Sequence, residues 1–187
     1  MMTRFTLLIL ILFILPIVYW MIVYNSIISN RNQIRRAFSG IDIQLKKRWD
    51  LIPNLVNTVK GYAAHEVELL ERLVIARREV QRSSRSDILD HDRLKNEQDL
   101  AVECSRLMAV VESYPELDSS EQFIMLQRNL TEIESQIAAA RRSYNAYVVR
   151  YNNKVESIPS SVVANIHGFK VMDYFTMNVT ERRSVGF

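Results

Sequence analysis

This chain has little of what disulfide frameworks, sheets, phosphate loops and zinc centres are built from. A single cysteine rules out an internal disulfide. Glycine and proline number four each, and no alternating apolar run is bounded by Asn-Gly or Asp-Gly turns, so a β fold is not expected. Gly40, Gly61, Gly168 and Gly186 stand alone, which leaves neither glycine-rich phosphate-binding fingerprint. His65, His91 and His167 are far apart, with no cysteine or carboxylate at ligand spacing around them. His65-Glu66 begins as a zinc-protease helix begins, but Leu69 stands where the second histidine is required. Cys104 lies on an apolar stripe and reads as a small core residue. Ser39, Ser119 and Ser120 lack the context of a nucleophile elbow. No catalytic residue, cofactor or metal is expected, and the chain does not read as an enzyme.

Charge of one sign is scarce too. Twenty-four Lys and Arg face 21 Asp and Glu, a net +3. The signs alternate along the chain, as on a solvated helix surface, so nucleic acid is not an expected partner.

What is present in excess is the apolar run Phe5 to Tyr24, uncharged and broken in polarity only by Thr6. A helix of that length rises about 1.5 Å per residue and matches the ~30 Å hydrocarbon core of a bilayer. Pro16 is tolerable inside such a helix, and Tyr19, Trp20 and Tyr24 gather at its downstream end, where aromatic rings settle among headgroups. A cleaved signal peptide fits poorly: only Arg4 and the amine precede the run, and WMIVYN is bulky where a peptidase needs small residues. Residues 1–24 therefore read as an uncleaved, single-pass anchor. Arg31, Arg35 and Arg36, then Lys46, Lys47 and Arg48, follow the run. By the positive-inside rule they favour a cytoplasmic C-terminal domain by a small margin.

The roughly 160 residues after the anchor are the size of one domain. Helical periodicity is nearly unbroken: Ile27, Ile34, Phe38, Ile41 and Leu45, then Ile52, Leu55, Val59, Tyr62, Leu69, Leu73 and Ala76, keep one face. Pro53 denies Trp49 its carbonyl partner, so the chain either kinks or turns there. The polar stretch Ser83 to Asp87 is a linker, with a helix restarting near Ile88 and buried through Leu94, Ala101, Cys104, Leu107, Met108 and Val111. Tyr114-Pro115 ends it. A capping box is expected next, with Ser119 reaching forward and Gln122 reaching back. The longest clean helix then runs to Ser157, burying Phe123, Leu126, Leu130, Ile133, Ile137, Ala140, Tyr144, Tyr147 or Val148, and Tyr151. Ile158-Pro159 stops it before a short amphipathic segment, Ser160 to Ile166, and the aromatic residues Phe169, Tyr174 and Phe175. The predicted fold is all-α: a long up-and-down, four-helix bundle preceded by an N-terminal transmembrane helix. Residues 25–176 would form the bundle and 177–187 a tail.

The stretches RNQI, IDIQLKKRWDLIPNLV and TVKGYAAHE within Tyr24 to Glu66, followed by VESYPEL, ARRSYNAYVVRYN, ESIPSSVVA and GFKVMDYF in order, resemble the LemA family over essentially the whole chain. Phe38 departs from the tryptophan usual in the family, a change of one core aromatic for another. The resemblance implies a single N-terminal anchor and a long up-and-down bundle in the bacterial inner membrane. It implies no enzyme. Some related proteins belong to magnetosome membrane assembly, which points by analogy to membrane organisation.

Polar residues also recur beside the apolar faces: Gln44, Arg48, Asp50, Asn54 and Lys60 early, Arg141, Asn145 and Asn152 late. They can pair across helices and fix register. Alternatively, Lys46, Lys47, Arg48, Lys60, His65 and Glu66 form an interaction surface. Arg31, Arg35 and Arg36 could contact anionic headgroups. Two functions are compatible with this pattern: a scaffold binding other envelope proteins or itself, or a ligand- or stress-sensing bundle. The second requires a polar internal cavity lined by Arg48, Arg141 or His65.

Overall fold

The computed structural model describes the backbone at residues 2–86 and 89–175, and the side chains of residue 10, residues 12–86 and residues 89–175. The expected restart at Ile88 and the tail 177–187 lie outside the described residues. Six helices are described: α1 Met2–Lys60, α2 Val67–Ser83, α3 His91–Val111, α4 Pro115–Asp118, α5 Glu121–Glu156 and α6 Ser160–Ile166. No strand occurs among the described residues, so the fold is all-α as expected.

The apolar run and the first helix of the bundle are one element, since α1 is helical without interruption for 59 residues. Pro53 therefore does not divide it. The reason is a long-range partner. Proline leaves the Trp49 carbonyl without its amide four residues on, and Arg77 of α2 donates its Nε–H to that oxygen at 2.9 Å. Ile52 and Leu55, on either side of the proline, are fully buried.

The chain divides into two compact units. In one, the part of α1 from Phe38 onward, α2, α3, α4 and the part of α5 up to Arg141 enclose a single core, and Phe175 also belongs to this unit. Ile52, Leu55, Val59, Leu73, Val80, Leu100, Leu107, Leu117 and Phe123 are its fully buried members. Short connections bring the four long helical segments together as sequential neighbours. Asp90 caps α3, accepting from the Asp92 amide at 3.1 Å. At α5 the expected capping box shifts by one residue. Ser120, not Ser119, is the cap and accepts from the Phe123 amide at 3.1 Å. Ser119 instead donates to the Pro115 carbonyl at 2.7 Å. Seating Phe123 fully in the core selects this register, and it leaves Gln122 no capping role.

The other unit contains α1 up to Ala37, α5 from Arg142, α6 and the segment to Tyr174. Ile27, Ile34, Tyr144, Val148, Tyr151, Val155, Val163 and Ala164 are buried in it, and Val148 rather than Tyr147 is the inward residue. Asn152 binds the extended return segment at both hydrogen-bonding groups of Met172. Its amide donates to the carbonyl and its oxygen accepts from the N–H, each at 2.9 Å. The Tyr144 hydroxyl donates to the Asp173 carbonyl at 3.2 Å. Within this unit α1 carries an 18-residue window of mean hydropathy 1.8, of which 11% is buried. It is a helix long and apolar enough to cross a membrane.

Candidate functional site

Among the described residues of the four-helix unit, polar chemistry and open space gather at three features, besides a surface pocket of about 380 Å³ at Tyr62 and Ser113 to Leu117. The first is a cluster of buried charges. On α3 the inward positions run Arg93, Glu97, Leu100, Cys104, Leu107 and Val111, a spacing of four and three that holds one face of a helix. Leu94, expected to be inward, is only half-buried because Arg93 and Glu97 take the core positions. Opposite them, Arg48 of α1 is 1% exposed. Its guanidinium donates to the Glu97 carboxylate, to the Glu97 carbonyl at 2.9 Å and to the Glu134 carboxylate of α5 at 2.9 Å. Arg93 pairs with Asp42 at 2.5 Å and donates to the Ser86 carbonyl at 2.7 Å. Arg141 lies over the Phe175 ring, 4.7 Å from its centroid.

The electrostatics follow from burial first. Removal from water lifts the Glu97 carboxyl above the usual carboxylate range, against the opposing pull of Arg48. Burial also works against the charge on Arg48, but Glu97 and Glu134 outweigh it and hold its pKa above the ordinary arginine value. Burial, then repulsion from Arg48, lowers Arg141. The cavity beside this cluster, lined by Arg48, Glu97, Gln98, Glu134, Arg141 and Phe175 among others, measures about 70 Å³. Liquid water takes about 30 Å³ per molecule, whereas small-molecule pockets begin near 300 Å³. The space suits water or a side-chain adjustment, not a metabolite. Buried arrays of this kind add little net stability, because desolvation offsets most of the attraction.

The second feature is a polar cleft of about 620 Å³ between α1 and α5, lined by Gln44, Lys47, Asp50, Leu51, Asn129, Glu132, Ile133 and Gln136. It is open to solvent.

The third is an apolar groove. α2 is apolar on two sides. Leu69, Leu70, Leu73 and Val80 enter the core, while Val67, Val74 and Ile75, with an edge of the buried Leu70, face a groove of about 540 Å³ completed by Val56 and Ala64. Val67 and Ile75 are each 55% exposed. Lys60, Glu71 and Arg78 form the charged rim. The signal was present in the sequence as a second stripe at spacings of three and four on α2, but one stripe already accounted for the core.

The predicted interaction residues do not form one surface. Lys46 and Lys47 are exposed, and Lys47 lines the polar cleft. Lys60 is on the rim of the apolar groove. Arg48 is internal, so it presents no charge outward; its cross-helix pairing fits the register role that the sequence allowed. His65 is exposed in the turn after α1. Glu66 accepts from the Tyr114 hydroxyl at 2.9 Å, a bond that raises the Tyr114 pKa. In the other unit Arg31 is half-buried, and Arg35 and Arg36 are exposed. Among the described residues no three of His, Cys, Asp and Glu come together as a metal site would require. Cys104 is buried, and burial pushes its thiol up to about 12, outside the range of a nucleophile at neutral pH.

The chain matches the LemA family over residues 37–187. It is 26% identical over 161 residues to Protein LemA of Metamycoplasma hominis, across 81% of this chain and 70% of that protein. To magnetosome protein MamQ of Magnetospirillum gryphiswaldense it is 23% identical over 174 residues, across 81% of the chain and 64% of the relative. A shorter stretch of 70 residues is 41% identical to magnetosome protein MamQ 2 of Paramagnetospirillum magneticum. That stretch is 37% of this chain and spans about a quarter of the relative, 26%. With the family match extending over most of its length, the chain belongs to the LemA family.

Proposed function

We propose that this protein is a non-catalytic interaction module anchored in the bacterial inner membrane by α1, its helical domain on the cytoplasmic side, which binds a helix of another envelope protein. The observation that carries this reading is the groove between the end of α1 and α2. Isolated surface apolar residues need no account, but an aliphatic floor with charges of both signs at its rim is the pattern of a helix-binding groove. Two basic rim residues, Lys60 and Arg78, against one acidic, Glu71, favour a partner helix with an acidic flank. The anchor is supported by side chains of α1 that face away from the protein: Leu12 and Phe13 are 69% exposed and Ile22 is 62% exposed. The relatives named MamQ are magnetosome proteins, and a role in organising a membrane agrees with that name. The competing ligand-sensor reading needs an internal polar cavity of metabolite size lined by Arg48, Arg141 or His65, and the space beside Arg48 and Arg141 is several times too small.

Photo-cross-linking in intact membranes tests the proposal. A photoreactive residue at Ile75 should link reproducibly to one other envelope protein, and a residue at Lys47, in the polar cleft, should not. Equal, unspecific labelling from both positions would refute the groove as the docking site. Links from Ile75 to further copies of this chain would replace the partner with self-association.

A further inference from the structure

The residues after α5 are coupled to the downstream end of the apolar run. Lys154, near the end of α5, bonds the Ser26 hydroxyl of α1. After the turn at Ile158-Pro159 and the length of α6, His167 accepts a hydrogen bond from the Trp20 indole N–H at 3.2 Å. The His167 ring also lies 4.6 Å from that of Tyr24, and Phe169 lies 5.9 Å from Tyr24. Trp20 and Tyr24 are the residues that would mark the headgroup level if α1 crosses a bilayer. The turn and α6 are thereby held at that level.

α6 buries Val163 and Ala164 against its own unit. Its other face is apolar and bare: Val162 is 52% exposed and Ile166, four residues on, is 64% exposed. Ile158, in the turn just before, is 86% exposed. No Asp, Glu, Lys or Arg occurs from Ser157 to Phe169, whereas Glu156 and Lys170 bound the segment on its two sides. Elsewhere in the chain charges interrupt every stretch of this length except the apolar run itself. An uncharged segment that exposes branched aliphatics beside the end of a membrane span suits the boundary between headgroups and acyl chains.

We infer that the turn at Ile158 and the outer face of α6 insert into the interface of the bilayer that α1 crosses, forming a second, monotopic membrane contact. The occupant of this face is lipid. The argument rests on the anchor reading of α1 and on continuity between the two apolar surfaces. A consequence is that the unit formed by α1 up to Ala37, α5 from Arg142 and α6 meets the membrane at two points rather than through a single helix.

The test uses the full chain in lipid nanodiscs, with a fluorescent label placed in turn at Ile158→Cys, Val162→Cys, Ile166→Cys, Leu15→Cys and, as a control, Arg142→Cys, exposed on α5 of the same unit and 14 residues before its end. Buried Cys104 is replaced by alanine throughout. Phosphatidylcholine carrying a spin label near the headgroup is the quencher for α6, and a label near the chain ends is the quencher for α1. Labels at residues 158, 162 and 166 should lose fluorescence to the shallow quencher while residue 142 loses much less, with residue 15 quenched by the deep one. Quenching at residue 15 with none at 158, 162 and 166 would overturn the second contact and leave the anchor standing. No quenching at residue 15 would overturn the anchor itself. Residues 158, 162 and 166 shielded from lipid but forming disulfides between copies would give the face to a second copy and also overturn the inference.

Discussion

Replacing Arg48 by methionine isolates the energetics of the buried charges. Arg48 is 1% and Glu97 3% exposed, so removing the guanidinium strands a carboxylate that water cannot reach. Breaking a buried pair from one side costs about 3–5 kcal/mol, mostly the penalty of the charge left behind. Arg93 and Arg141 still lend Glu97 positive potential, which places Arg48→Met near the lower end, about 3 kcal/mol. Glu134 adds little, because its side chain is 41% exposed and rehydrates. Removing both partners, as Arg48→Met with Glu97→Leu, eliminates the stranded charge and fills similar volume. The double variant should lie within about 1 kcal/mol of the parent or exceed it. The assay is chemical unfolding of the full chain in detergent micelles, followed by circular dichroism and analysed as a double-mutant cycle. A double variant no more stable than Arg48→Met alone would refute the reasoning. So would an Arg48→Met loss below about 1 kcal/mol, the range of an exposed pair.

Two further predictions use the same unfolding assay. Arg77→Met leaves the Trp49 carbonyl without a partner and should cost about 1–3 kcal/mol; in a Pro53→Ala background, where residue 53 regains an amide, most of that cost should vanish, and an undiminished cost would show that Arg77 acts otherwise. Glu97, whose folded pKa is raised by burial, holds its proton in the folded chain at pH values where the unfolded chain has lost it. Its contribution to stability is therefore fully present below the ordinary glutamate pKa and declines as pH rises through the folded value. Glu97→Gln should remove that decline, so the parent should lose stability relative to the variant as pH rises; a difference that does not change with pH would contradict the direction.

Much of the fold follows from spacing alone, because Ile41, Leu45, Ile52, Leu55 and Val59 on α1, and Phe123, Leu126, Leu130 and Ile137 on α5, keep one helical face by their own period. What was not legible depends on partners distant in sequence. The course of the chain at Pro53 turns on Arg77, a residue of another helix. The inward placement of Arg93 and Glu97 reverses their ordinary preference for solvent and is sustained only because Asp42 and Arg48 meet them across the bundle. The cap of α5 moved by one residue because the position of Phe123 in the core outweighs a local choice between two serines. The groove was visible as Val67, Val74 and Ile75 beside Leu70, yet only the packed structure tells that Leu70 is covered while Val67 and Ile75 are left exposed.

The most direct test of the docking claim is recovery of the Ile75 cross-linked partner when the groove is made acidic by Val67→Glu. Val67 is exposed and outside the core, so the unfolding free energy should stay within the change of an ordinary surface substitution, about 0.5 kcal/mol. The cross-linked product should fall to background in that variant and persist in Lys47→Glu. An undiminished product in the folded Val67→Glu protein would contradict the claim that this groove is where the protein meets its partner.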